Sequence, residues 1–334
     1  MGTESFKGFY LDWRSLTERT LDTEVENPGG RGSYDGIALT GMGGSGIIGD
    51  VIHVLAFEFS DVPTVVVKDF SLPKYVRGGW LVLAISYSGN TKETLSTVYE
   101  ALSRGCDVAG VSSGGKLAEI ARKEGLTYLQ VEEGRVPRAS MPALLVGALK
   151  VLRAKGVNFP LPSPEGIAKL GNVGEAETLA ESIVEGLAGR IPVFLSDTRH
   201  YPLAVRAKNE FNENAKIPAK VEVLPEWGHN DIVGWERWLG PFTAVVFELG
   251  EGDKLMKFAA DYLRGVNVPV KELVMSDSMP YVDRVLWYSL VLGLASLKLA
   301  EVRGVDPGVT ESISRYKAFL KSWSPNLKNN PGEG

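Results

Sequence analysis

Short β-branched runs separated by helical patterns are what most constrain the fold of this 334-residue chain. Residues 37–40 (IALT), 64–67 (TVVV), 80–85 (WLVLAI), 107–111 (DVAGV) and 127–131 (TYLQV) read as strands. Between them lie helical stretches, such as the one beginning near Thr91, which carries Leu95, Val98 and Leu102 on one face. Strands that are apolar almost throughout and alternate with helices predict a parallel sheet covered on both faces. A long helical pattern over 138–155 follows, and then 156–166 (GVNFPLPSPEG), whose prolines and glycines mark a connection. The alternation restarts with strands expected at 191–196, 219–224, 242–247 and 268–273. Helices are expected near 175–187, 203–214, 253–264, 279–300 and 310–320. The chain therefore divides into a first unit over 1–155, a linker over 156–172, a second unit over 173–321 and a polar tail over 322–334 that should fray.

Charge and composition exclude several classes. A net charge of −5 argues against wholesale nucleic-acid binding. One cysteine, Cys106, can form neither an internal disulfide nor a zinc cluster, and three histidines (His53, His200, His229) make a multi-histidine metal site improbable. The opening MGTESFKGFYLDW lacks the basic and apolar regions of a signal peptide. The longest apolar run, 285–297, is short for a bilayer and reads as a buried helix, so a cytoplasmic protein with no membrane partner is expected. A single cysteine and a single glutamine accord with a thermophilic source.

Glycine is abundant, at 38 residues against an average near 7%. Several of these fall in GMGGSGIIG (41–49), between a strand and a helix, where glycines let backbone amides close on an anion at a helix N-terminus. Gly41, Gly43 and Gly46 also spell GxGxxG, and Asp69 follows near the end of the next strand, as a dinucleotide site requires; a tight turn without a ligand is the plain alternative. The second strand-to-helix loop, ISYSGNT (85–91), favours a different anion. Ser86, Ser88 and Thr91 beside the first amides of a helix offer many donors in a small volume, which suits a phosphate monoester. Any one of these hydroxyls could instead be a simple helix cap.

GMGGSGIIGD followed by ISYSGNTKET resembles the SIS (sugar isomerase) domain, a phosphosugar-binding α/β module. NEFNENA (209–215) and WGHNDIVGW (227–235) resemble the archaeal bifunctional phosphoglucose/phosphomannose isomerases. The resemblance covers most of the chain and implies two SIS domains. Each would be a parallel five-stranded sheet flanked by helices in a flavodoxin-like three-layer arrangement. It implies a small phosphosugar substrate held by Gly43, Gly44, Ser45, Ser86, Ser88 and Thr91, with no metal and no nucleotide cofactor.

Aldose–ketose isomerisation needs a base between C1 and C2, help in ring opening, and a cation for the enediolate. Glu210 and Glu213 share a helix face, where either would ordinarily be a solvated carboxylate. The resemblance points to Glu213 as the base, with Glu210 in reserve, and burial should raise its pKa. It implies that His229 opens the ring, reaching the neighbouring subunit of a homodimer. His53 sits in an apolar helix pattern and reads as packing, and His200 as a turn residue. By the same resemblance Lys317 assists ring opening and Thr310 leaves room at C2 for both epimers. The Pro-Arg pair selects Arg138 for the enediolate, with Arg135 close by. A non-catalytic phosphosugar sensor would need the serine loop but not Glu213, His229 and Lys317 together; a dinucleotide oxidoreductase would need NAD(P).

Overall fold

The computed structural model describes residues 3–250 and 252–323; the expected tail lies, from residue 324 onward, outside the described residues. Two helices come first, α1 (Thr3–Leu11) and α2 (Trp13–Asp22), then β1 (Gly36–Thr40), α3 (Gly43–Phe59), β2 (Thr64–Val67), β3 (Trp80–Ile85) and α4 (Lys92–Ser103). β4 (Asp107–Ser112), α5 (Gly115–Glu124), β5 (Thr127–Gln130), a 3-10 turn at Pro137–Ser140 and α6 (Met141–Ala154) complete the first unit. Next come α7 (Pro164–Lys169), α8 (Val173–Val184), β6 (Ile191–Asp197), α9 (Tyr201–Asn214) and β7 (Lys220–Leu224). A 3-10 turn at Glu226–Gly228 leads to α10 (Asp231–Gly234), β8 (Phe242–Leu249), α11 (Lys254–Gly265), β9 (Val270–Met275), α12 (Tyr281–Arg303) and α13 (Glu311–Ser322).

All strand pairings within the two sheets are parallel. The first sheet has five strands in the order β2-β1-β3-β4-β5, as the alternation predicts. The second has four, β7-β6-β8-β9, rather than the five expected. The reason lies downstream of β9. The chain there enters α12, whose residues are buried nearly all round against α8, α9 and α1, so no further strand follows among the described residues.

Side chains alternate across each sheet, and the alternation sorts the cores. Ala38, Val82 and Val108 face α4 and α5 with Val98 and Leu117, closing the outer face of the first sheet. Val193, Leu195, Ala244 and Val246 do the same against Met256, Ala259 and Leu263 of α11. The opposite faces share one continuous core: Ile37, Leu39, Leu83 and Val111 of the first sheet join Phe194, Val245 and Phe247 of the second through α3, α6, α9 and α12. The apolar run 285–297 lies inside α12, which is long enough to cross a membrane but is 83% buried in protein over its most apolar window. The buried-helix expectation therefore holds.

α1 and α2 form elements that the strand-and-helix alternation did not foresee. Phe6, Tyr10, Trp13 and Leu16 recur at helical spacing and are all buried in the shared core. α1 lies on α12 and α2 on α6. The N-terminal helices thus cross from one unit to the other, which places Phe6 and Tyr10 where the two meet.

Candidate functional site

The carboxyl ends of parallel strands, where they feed into helices, form the natural binding crevice of such a sheet. Two loops emerge there side by side from β1 and β3. α3 starts at Gly43, and a side chain at Gly44 would place its Cβ only 3.3 Å from the Arg138 amide nitrogen, so the loop and the Pro137–Ser140 turn touch backbone to backbone. The Ser45 hydroxyl accepts the Tyr87 N–H at 3.0 Å, joining the first loop to the second.

In the second loop the buried Ser86 hydroxyl lies 3.0 Å from that of Thr91. Thr91 occupies the N-cap of α4 but its side chain accepts no helix amide. The first backbone bond of α4, Leu95 N–H to the Thr91 carbonyl, leaves the preceding amides free to meet an acceptor. Gly89 has φ +64° and a Cβ there would overlap the Gly114 carbonyl, so only glycine suits that corner. Ser88 is exposed, its hydroxyl accepting the Asn90 N–H at 3.3 Å. Asp69, which a dinucleotide would use, is exposed and accepts its own neighbour's amide, Phe70 N–H, at 2.6 Å.

The last turn of α9 brings the acid of the second unit to these loops. Glu213 Oε2 accepts a hydrogen bond from Arg138 Nη1 at 2.9 Å, and its side chain keeps 25% of its accessible surface against 9% for Arg138. Burial raises the Glu213 carboxyl above its ordinary value; Arg138 pulls it back and the nearby Glu210 pushes it further up. The rest of the Arg138 guanidinium is committed. Nε donates to Asn214 Oδ1 at 2.7 Å, Nη2 to the Pro307 carbonyl at 2.8 Å, and the plane lies 4.7 Å from the centre of the Phe6 ring.

The competing candidates have other employment. Glu210 is 1% exposed and sits 2.6 Å from Arg206, bound also by Tyr10 and Asn214. Arg135 holds the first helices, donating to Asp12 at 2.8 Å and to the Phe9 carbonyl. His53 Nδ1 lies 2.6 Å from the Thr64 hydroxyl between α3 and β2. His200 does stand in a turn, at the start of α9, yet it is 1% exposed and held by Asp197.

The remaining expected residues lie on the periphery of this chain. His229 is exposed in the loop after β7. Lys317 is exposed on α13, the face of which also exposes Ile313, Tyr316 and Phe319. Thr310 occupies the N-cap position of α13 without a side-chain capping bond, three residues beyond the Pro307 carbonyl that Arg138 and Lys216 both address. Asn214, Lys216, Phe6 and Tyr10 were not singled out from the sequence. Only Phe6 and Tyr10 left a signal, through their helical spacing.

A family model described as the bacterial phospho-glucose isomerase C-terminal SIS domain matches residues 174–320. A bifunctional phosphoglucose/phosphomannose isomerase of Aquifex aeolicus (strain VF5) is 34% identical over 296 residues, covering 86% of this chain and 91% of that protein. A D-glucosamine-6-phosphate 4-epimerase of Sulfolobus acidocaldarius is 31% identical over 295 residues, covering 87% and 90%. Among solved structures, a hypothetical protein from Thermus thermophilus superposes with a TM-score of 0.72 at 17% identity, covering 94% of this chain and 90% of that one. At that identity the match speaks to fold alone.

Proposed function

This chain belongs to the bifunctional phosphoglucose/phosphomannose isomerase family, and on that premise we propose that it interconverts glucose 6-phosphate, mannose 6-phosphate and fructose 6-phosphate. The observation that carries the proposal is the Glu213 carboxylate held 2.9 Å from the Arg138 guanidinium, beside two loops rich in glycine and hydroxyl groups. A base and a fixed cation next to a phosphate-sized cradle are what proton transfer between adjacent carbons requires.

The phosphate would be held by the amides of Gly43 and Gly44, by the Ser45 hydroxyl, whose own N–H is spent on the Met42 carbonyl, and by Ser86, Ser88 and Thr91, which leaves the sugar carbonyl end toward α9. Ring opening moves the proton of the anomeric hydroxyl away while the ring oxygen takes one up; His229 and Lys317 serve here. Glu213 then removes the proton at C2 of the open aldose. The electron pair passes into the C1–C2 bond and the carbonyl becomes an enediolate oxygen. Arg138 stabilises that charge; the O2 hydroxyl proton then passes to O1, and return of the carbon-bound proton to C1, as the C2 carbonyl forms, gives the ketose. Both aldose epimers share this intermediate, and Thr310 provides the space at C2 that lets either be formed. Glu213 works as the carboxylate, so its raised pKa supports the role: a more basic carboxylate takes a carbon-bound proton more readily.

His229 and Lys317 are exposed in one chain, with apolar Ile313, Tyr316 and Phe319 near the lysine on α13. That arrangement supports a homodimer in which His229 completes the neighbouring subunit's site.

The test is incubation of the purified protein with fructose 6-phosphate and EDTA. Formation of both glucose 6-phosphate and mannose 6-phosphate is expected; absence of both overturns the proposal.

A further inference from the structure

Only one guanidinium nitrogen of Arg138 reaches Glu213, so its aim depends on what grips the other side. That grip is a closed circuit of buried groups. The Arg138 carbonyl accepts Arg206 Nη2 at 2.9 Å; Arg206 lies 2.6 Å from Glu210 Oε1; and Glu210 Oε2 accepts Asn214 Nδ2 at 2.8 Å. Asn214 Oδ1 then accepts Arg138 Nε at 2.7 Å, returning to the residue where the circuit began. Arg206, Glu210, Asn214 and Tyr10 are each no more than 2% exposed.

The donors around Asn214 permit a single orientation of its amide. The Ser296 hydroxyl is spent on the Gly293 carbonyl at 2.7 Å, so its oxygen can only accept from Asn214 Nδ2, 2.8 Å away. The Tyr10 hydroxyl is spent on Glu210 Oε2 at 2.5 Å, so its oxygen likewise accepts from Asn214 Nδ2 at 3.2 Å. A flipped amide would set its NH2 against Arg138, donor to donor, and its oxygen against a carboxylate. Glu210 and Tyr10 therefore dictate that the oxygen of Asn214 faces the guanidinium.

We propose that Asn214, oriented by Glu210 and Tyr10, is a positioning residue that aims Arg138 at the reacting carbons; the proposal rests on the isomerase reading above. Glu210 thereby acquires a role other than reserve base, and α1, which supplies Tyr10, becomes part of the site without touching substrate. A misplacement of about 1 Å in a catalytic group costs up to roughly a hundredfold in rate.

The experiment compares wild type with Asn214→Ala and with the milder Tyr10→Phe. In Asn214→Ala, kcat for fructose 6-phosphate should fall tenfold to a hundredfold. The Kd of glucitol 6-phosphate, which lacks a carbonyl, should change less than threefold. The acid limb of the rate profile should move to higher pH, because a loosened Arg138 no longer draws the Glu213 carboxyl down. Tyr10→Phe should shift all three readouts in the same sense by a smaller amount. A second readout needs no turnover: the Arg138 Nε–H, assigned by NMR against Arg138→Lys, should exchange with water at least tenfold faster in Asn214→Ala. Wild-type kcat, acid limb and Nε–H exchange in a folded Asn214→Ala overturn the proposal, and so do they in Tyr10→Phe should Asn214→Ala not fold. Failure of the wild type to act on fructose 6-phosphate defeats the isomerase reading instead, and the exchange rate alone then decides the positioning claim.

Discussion

The two sheets place corresponding loops at corresponding points yet use them in opposite ways. In the order β2-β1-β3-β4 against β7-β6-β8-β9, β1 answers to β6 and β3 to β8. The loops after β1 and β3 hold glycines, Ser86 and Thr91 beside helix N-termini. The turn after β6 closes on itself: His200 takes Asp197 through its backbone N–H at 2.7 Å and through Nδ1 at 2.8 Å. Each sheet is also followed by an arginine near the start of a long helix. Arg138 keeps one nitrogen for Glu213, whereas Arg284 spends its guanidinium on the Ser276, Asp277 and Met279 carbonyls and on His200 Nε2 at 3.2 Å. One topology thus yields loops rich in hydroxyl and amide donors in the first unit and, in the second, a turn and an arginine that spend their polar groups on each other and on nearby carbonyls. The second unit reaches the first through the end of α9, where Glu213 meets Arg138.

Breaking the first crevice should cost most. Glu213→Gln should lower kcat by about 10²–10⁴, the usual worth of a positioned base. In the wild type the acid limb of kcat should lie above the ordinary glutamate value of about 4.3. The sign follows from the chemistry: the carboxyl must be ionised to act, burial raises its pKa, and activity is lost as pH falls through that raised value. A limb at or below the ordinary value would remove burial as the tuning force.

Arg138→Leu should lower kcat by about 10²–10³, the worth of one oxyanion donor, and should shift the acid limb to higher pH because the cation that draws Glu213 down is gone. Unchanged kcat would send the enediolate role elsewhere. Ser86→Ala should weaken glucitol 6-phosphate by about 10- to 150-fold, the equivalent of a charge-assisted hydrogen bond of about 1.5–3 kcal/mol, with a smaller change in kcat. The smallest effect on turnover belongs to the second unit's crevice. Arg284→Met should leave kcat within about twofold while lowering stability by about 1–3 kcal/mol, as buried carbonyls lose their donor. A large fall in kcat without loss of stability would show that the second crevice takes part in the reaction.

Local order made the first crevice legible in the sequence. A glycine-rich stretch between a strand and a helix, and a second loop with three hydroxyl residues, involve neighbours along the chain. The pairing of Arg138 with Glu213 is a different matter, since 75 positions separate them and nothing local joins them. Resemblance to a family picked both residues, while the distance between them came only from the fold. The circuit behind Arg138 left less still: Tyr10 and Glu210 meet across 200 positions, and Asn214 in a helix reads as an ordinary polar residue. The spacing of Phe6, Tyr10, Trp13 and Leu16 is a local helical signal, readable in the sequence without the fold. The four strands read along the second half are the four that form; the fifth was implied by the resemblance alone, and past β9 the chain instead enters α12 and the shared core.

Calorimetric titration of the wild type with glucitol 6-phosphate, repeated on Ser86→Ala/Thr91→Ala and on Arg284→Met, tests the asymmetry most directly. One site per chain is predicted, lost in the loop double variant and retained in Arg284→Met. Two sites per chain, or binding that survives in the loop variant and vanishes with Arg284, would contradict it.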